Sequence, residues 1–293
     1  MKGFKGFDKG LVCRGKKYKE NTVFEEEAAE ICKSGMHFCE NPFDVLEYYD
    51  LVNTDGSFNE FAEVVALDEC LTDDNKKYCT KKLKIGAKLS FSGFVNACIE
   101  FILEKTKIEQ TDEEDETVIG SSGNSAQIGS SGYYAQIGSS GNSAQIGSSG
   151  YSAKIGSSGY YAQIGSSGYS AQIGSSGDYA KIGSSGYSAQ IGSSGDYAQI
   201  GSSGNSAKIG SSGYYAKITS EGEDSVICCS GHNSIVRAKK GSWITLSEWE
   251  KSFEKDRWIP KCVKTKFVDG EIIKADTFYR LENGKFVEVK EDK

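Results

Sequence analysis

The chain has 293 residues with 38% hydrophobic content, 35 Gly, only 2 Pro and a formal charge of −7. No run of 18 apolar residues occurs, which excludes a membrane-spanning helix. Nine Cys without a single CxxC pair, and a start (MKGFKGFDKGLVCRGKKY) lacking the apolar core of a secretory signal, read as a reduced, cytoplasmic protein without a disulfide framework. The charge is uneven: residues 1–118 carry 16 basic and 25 acidic side chains, residues 119–217 carry 4 and 2, and residues 218–293 carry 14 of each. No stretch is basic enough to hold nucleic acid by phosphate neutralisation alone.

Residues 1–89 read as an α+β head domain. Glu25 to Lys33 is predicted as a short helix ended by Ser34-Gly35, His37-Phe38-Cys39 as a strand, Pro42 to Tyr49 as a helix and Phe61 to Leu67 as a strand. Cys13, Cys32, His37 and Cys39 form a conceivable Cys₃His cluster, but C-x₄-H-x-C is not a usual ligand spacing, so buried thiols are expected and no metal or other cofactor is assigned. Residues 90–118 are a capping segment. Ser90 to Lys107 is an amphipathic helix with Phe91, Phe94, Val95, Cys98, Ile99, Ile102 and Leu103 on one face, and Thr111 to Glu116 is a solvated acidic linker.

From Ile119 to Lys217 the unit I-G-S-S-G-x-x-A-Q/K recurs eleven times without insertion. Two degraded units follow, with Ser225 and Ser234 in place of Ala, so residues 119–235 hold thirteen units. A flexible linker has no reason to keep Ile and Ala in register. Alternation sends Ala and Ile to one side and Gln or Lys to the other, while G-S-S-G supplies a turn through glycines free to take positive φ. One unit makes a strand and a turn, and two close a coil of 18 residues, giving a parallel β-solenoid with strands on two opposite faces. The variable positions agree. Tyr133, Tyr151, Tyr169 and Tyr187 are 18 apart, and Tyr161, Tyr179, Tyr197 and Tyr215 are 18 apart in the alternate units. Thirteen units at about 4.8 Å per coil make a rod about 30 Å long.

Residues 236–293 form a C-terminal cap. Trp243, Ile244, Leu246 and Trp249 offer apolar cover, and Asp269-Gly270 and Asn283-Gly284 signal two hairpins. The fold class expected is therefore mainly β: a two-nonapeptide solenoid capped by an α+β domain and a C-terminal hairpin segment.

The repeat lacks the carboxylates of a calcium-binding β-roll, with Asp178 and Asp196 one place out of register, and it lacks the Thr ladders of ice-binding solenoids. The two Tyr ladders are the candidate recognition surface, made polar by Gln136 and Gln163 and weakly positive by Lys154, Lys181 and Lys208. A host protein or ribonucleoprotein is the expected partner, nucleic acid the less favoured one, and a homo-oligomer is left open. Asn124 to Gly129 resembles the head repeats of trimeric bacterial adhesins, which implies a virion structural or adhesive component as an alternative.

Two further resemblances concern the ends. Gly3 to Asp8, Cys32 to Pro42, Gly241 to Ile244 and Asp269 to Tyr279 resemble an uncharacterised family of phage and prophage proteins that pair such a head with Gly/Ser/Ala repeats. That resemblance implies a phage accessory protein acting inside the bacterial host, including the class that inhibits antiviral nucleases, as anti-CRISPR proteins do. Gly35 to Cys39, Val45 to Tyr49 and Phe61 to Val65 are similar in order to ADP-ribosyltransferase folds. This implies an NAD-using alternative with Arg14 at the dinucleotide and Glu63 as the nearest carboxylate, though no Ser-Thr-Ser strand is present. Binding without catalysis is the leading expectation.

Overall fold

The computed structural model describes residues 1–52, 58–106 and 118–289. The acidic linker expected at Thr111 to Glu116 lies outside the described residues. None of the described helices is long and apolar enough to cross a membrane.

The head is a seven-stranded sheet. Its strands are β1 (Lys2–Phe7), β4 (Thr22–Glu25), β5 (Met36–Cys39), β6 (Glu60–Ala66), β7 (Cys70–Thr72), β8 (Lys77–Thr80) and β9 (Lys82–Leu89), in the order β4-β9-β6-β1-β5-β8-β7. A small ribbon of β2 (Val12–Cys13) and β3 (Lys16–Lys17) folds over β1. The helix expected from Glu25 to Lys33 does not form. Thr22–Glu25 is instead recruited as an edge strand on β9, and Cys32 takes φ 63° in a tight Glu30–Ser34 loop. The apolar residues there are too few to sustain a helical face, so strand pairing wins. Helix α1 (Pro42–Val45) is shorter than expected. Asn41 caps it through the Phe43 N–H, Pro42 opens it, and a turn carries the chain on to Tyr49.

Thirteen four-residue strands follow at nine-residue intervals, from β10 (Val118–Ser121) and β11 (Gln127–Ser130) to β22 (Val226–Cys229). Even-numbered strands stack in one parallel sheet and odd-numbered strands in another, each residue pairing with the one 18 further on. Ile and Ala point inward and are buried from Ile128 onward, with Ile119 and Ala126 partly buried at the open end. The inward Ser row is buried with them, and Ser139, Ser157, Ser175, Ser193 and Ser211 of the even sheet leave their hydroxyls without a partner. The stack outlasts the recognisable repeat. In β23 (Ile235–Arg237) and β24 (Trp243–Ser252), Val236 and Ile244 take over the Ile position.

Glycine serves differently from expectation. No glycine of the repeat has positive φ. That conformation falls on the second variable residue in most units, Ser125, Ser143, Tyr161, Tyr179, Tyr197 and Tyr215 among them near 56°, though not at Tyr134, Ser152 or Ser170. From Gly141 onward the second Gly of the G-S-S-G is needed for close approach instead. A Cβ on Gly177 would lie 2.0 Å from the Gly159 carbonyl oxygen of the coil before. Asn or Asp beside the turn ties successive coils together. The Asp196 N–H donates to Asp178 Oδ1 (2.8 Å) and the Tyr214 N–H to Asp196 Oδ1 (2.7 Å), so these two carboxylates are structural.

Helix α2 (Phe91–Thr106) does not cap an end. It lies across the odd sheet, with Phe91 over Gly201 and Gly183, Val95 over Gly183 and Gly165, Ile99 over Gly165 and Gly147, and Ile102 with Leu103 over Gly129. The register is physical. A helix turn rises about 5.4 Å and a sheet rung about 4.8 Å, so each glycine rung receives roughly one turn of apolar side chains. At the far end β24 pairs with β25 (Arg257–Phe267), and β26 (Tyr279–Glu282) with β27 (Lys285–Glu288) extends the odd sheet. Asn283-Gly284 makes the second hairpin as expected, both residues at positive φ. Asp269-Gly270 does not join two strands. The Asp269 carboxylate accepts the N–H groups of Glu271, Ile272 and Ile273 in a local turn, and the hairpin forms upstream between β24 and β25.

Candidate functional site

The eleven residues singled out in the repeat occupy four separate places. Tyr133, Tyr151, Tyr169 and Tyr187 lie in the turns from odd to even strands, stacked at 4.9–5.0 Å. Tyr161, Tyr179, Tyr197 and Tyr215 lie in the turns from even to odd strands, stacked at 4.9–5.0 Å. The ladders are therefore the two opposite seams of a flattened rod and share no face. Lys154 and Lys208 stand on the outer surface of the even sheet. Lys181 stands on the odd sheet beneath the head, where its ammonium meets Asp50 Oδ1 at 2.9 Å and the Leu46 carbonyl. The single polar, weakly positive Tyr face does not exist, because Gln and Lys occupy the strands and Tyr the turns.

The odd sheet is consumed internally. Gln145 is buried, accepting from Asn41 Nδ2 (2.8 Å) and donating to Asp44 Oδ1 (2.8 Å), while Gln199 Oε1 accepts the Leu51 N–H at 3.1 Å. Burial raises the Asp44 pKa, and the Gln145 amide pulls it back in part. On the even sheet the equivalent glycines are bare. A Cβ on Gly138, Gly156, Gly192 or Gly210 would meet nothing within 4 Å. Together with Gln136, Lys154, Gln172, Gln190 and Lys208 they floor an open trough of about 1080 Å³ with no acidic residue among the described residues of its lining. Six rungs from Gly120 to Gly210 span about 24 Å, the length of a 16-residue helix. Apolar residues stand exposed at both ends of the row: Val118 at one, Val226 and Trp243 at the other. Sequence reasoning missed this trough. The nine-residue unit is identical on both sheets, and only the placement of α2 makes one of them empty.

A second concavity, of about 410 Å³, sits in the head. Its walls include Lys5, Arg14, Lys16, Glu26, His37, Lys77 and the rings of Phe38, Tyr48 and Tyr49. Lys5 is buried, its Nζ donating to the His37 carbonyl (2.8 Å) and to Cys13 Sγ (3.4 Å), and desolvation lowers its pKa. Burial, reinforced by the charges of Lys5, Arg14 and Lys77, pulls His37 down to about 4, so the ring is neutral near pH 7, and its Nε2 accepts the Cys32 N–H at 3.0 Å. The four groups weighed as a Cys₃His cluster are tied up singly. Cys32 Sγ accepts from Lys77 (3.1 Å), Cys13 Sγ accepts from Tyr49 (3.0 Å), and burial pushes the Cys39 thiol up to about 12. No group of His, Cys, Asp and Glu among the described residues is placed to hold a metal ion. Arg14 and His37 do meet in this pocket. Glu63, the carboxylate the transferase resemblance points to, is exposed on β6 opposite Phe4 and does not line it.

No curated protein and no solved structure matches the chain. The first third of the chain does have relatives: residues 1–97, spanning the head and the start of α2, match a family described as Domain of unknown function (DUF7666).

Proposed function

We propose that the protein is a non-enzymatic binding protein that holds an amphipathic helix of a partner macromolecule in the trough of its even sheet. One observation carries this reading. The same glycine rungs that receive α2 on the odd sheet are uncovered on the even sheet among the described residues, over a length that fits a helix of the same size. The occupant's chemistry follows from the occupied copy: a ridge of Val, Ile or Phe at helical spacing over the glycines, flanked by acidic groups. On the odd sheet the acidic groups stand beside α2 and not on it, Asp44 of α1 at Gln145 and Asp50 at Lys181, and Lys154 and Lys208 await such groups on the even one. Recognition would then be helix-in-groove, with shape from a rigid sheet and orientation from two lysines. The resemblance of both ends to phage and prophage proteins supports a host protein or ribonucleoprotein as the partner, a defence nuclease being the sharpest case.

The test uses a labelled peptide of residues 90–106, the chain's own trough-filling segment, titrated against the whole protein. Binding is expected, and Gly156→Leu/Gly174→Leu/Gly192→Leu, which fills the trough where a side chain has room, abolishes it. Equal binding to the filled variant would remove the reading.

A further inference from the structure

We propose that the head pocket is a binding site for a small phosphorylated molecule that carries an aromatic ring. Its size comes first: about 410 Å³ lies within the range of small-molecule sites. Its charge is opposite to that of its surroundings. Residues 1–118 carry a net excess of acidic groups, yet the walls present Lys5, Arg14, Lys16, Lys33 and Lys77 against the one carboxylate of Glu26. Glu26 is already engaged, with Lys16 at 2.7 Å and the Gly35 N–H at 3.0 Å, and Lys33 pairs with Glu30. Lys5, Arg14 and Lys77 are left without an ion pair among the described residues.

Lys5 is the more telling of the three. It is 4% exposed and its hydrogen bonds go to a carbonyl and a thiol, neither of which neutralises an ammonium. Burial without a counter-charge works against the ammonium and lowers its pKa, and an anion arriving in the pocket favours the charged form. Arg14 stands at the mouth, exposed, at the tip of the β2–β3 ribbon with φ 50°, and its side chain makes no hydrogen bond among the described residues. A guanidinium fork beside a buried ammonium suits the oxygens of a phosphate. Three unpaired cations match a doubly or triply charged group better than a single carboxylate. The remaining walls include Phe38, Tyr48 and Tyr49; a Cβ on Gly6 would fall 2.6 Å from the Tyr49 ring, and the Lys77 ammonium lies 4.6 Å over the Tyr48 ring. These rings offer a planar apolar surface to the rest of the ligand.

The experiment is calorimetric titration of the full-length protein with ADP, with adenosine and with orthophosphate. ADP is expected to bind, with adenosine and orthophosphate each at least about tenfold weaker, a loss of about 1.4 kcal/mol apiece. Arg14→Asn, Lys77→Met and Lys5→Met are each expected to weaken ADP about tenfold or more. Arg14 and Lys77 are on the surface side of the pocket, so their variants decide the matter if Lys5→Met does not fold. No binding of ADP at millimolar concentration, binding of adenosine equal to that of ADP, or full affinity in the Arg14 and Lys77 variants would each overturn the proposal. The trough-filled variant should bind ADP like the parent, which separates failure here from failure of the solenoid reading.

Discussion

Three glycines of one repeat should respond to the same methyl group in three different ways. At Gly177 an added Cβ would sit 2.0 Å from the Gly159 carbonyl oxygen and 2.5 Å from its carbon. Both are main-chain atoms of the neighbouring coil, so relief requires two turns to move apart. Overpacking of this kind costs about 1–3 kcal/mol where side chains can yield, and the upper end or beyond is expected where only backbone can. At Gly174 the nearest atom is 4.0 Å away, so Gly174→Ala should be neutral or stabilising by up to about 1 kcal/mol through the lost freedom of the unfolded chain. At Gly201 the clash is with the Phe91 ring at 2.7 Å, which should loosen the start of α2 while leaving the coils intact. Urea unfolding followed by far-ultraviolet circular dichroism, with hydrogen exchange of α2 as a local readout, separates the three. Similar midpoints for Gly177→Ala and Gly174→Ala would refute the close-approach argument.

Other outcomes follow from the same geometry. Tyr179→Ser removes two stacked pairs, to Tyr161 and Tyr197, and should cost about 1–3 kcal/mol in urea unfolding, since Ser already holds the same positive φ at Ser125 and Ser143. Ser175→Ala removes a buried hydroxyl without a partner and should stabilise by about 1 kcal/mol, whereas Ser166→Ala, which deprives the Gly168 N–H of its acceptor, should not. Gln145→Met strands Asn41 and Asp44 at the head–solenoid contact. It should cost about 2–3 kcal/mol and raise hydrogen exchange in residues 41–51. His37 is pulled down to about 4 from 6.5. The folded head therefore binds fewer protons than the unfolded chain between those values, and stability held above pH 6.5 declines toward pH 4. Each unit is worth about 1.4 kcal/mol unscreened, and with the ring half-exposed about 1 kcal/mol in total is expected, seen as a flatter acid limb in His37→Asn.

The solenoid was legible because its signal is a register repeated many times. The inward Ile and Ala, the 18-residue coil and the segregation of the two Tyr sets all follow from side-chain alternation applied to Ile119 through Ile227. What the repeat could not disclose was anything that distinguishes one sheet from the other. Whether Gln145 or Gln172 is buried depends on where residues 41–51 and α2 come to lie, and that is a tertiary fact. The glycine roles were misassigned for a related reason. Composition suggests conformational freedom, whereas Gly177 answers to a neighbouring coil 18 residues away. In the head, Glu25 to Lys33 has helical spacing but too little apolar face, and β9 offered Thr22–Glu25 an edge that a local reading does not see. The pocket was half visible. Arg14 drew notice from a family likeness and His37 from its place between Cys32 and Cys39, but Lys5, buried by β1 between neighbours that sequence does not bring together, carried no signal.

The even sheet, uncovered among the described residues, is the proposed working surface. Affinity capture from bacterial lysate tests it, comparing the parent protein, the trough-filled Gly156→Leu/Gly174→Leu/Gly192→Leu variant and a variant with the eight ladder Tyr changed to Ser. A partner held by the parent and by the Tyr variant and lost from the filled trough is expected, with nuclease treatment leaving it in place and a crosslink from residue 174 landing in one of its helices. A partner kept by the filled trough and lost with the Tyr ladders would contradict the claim and move recognition to the seams of the rod.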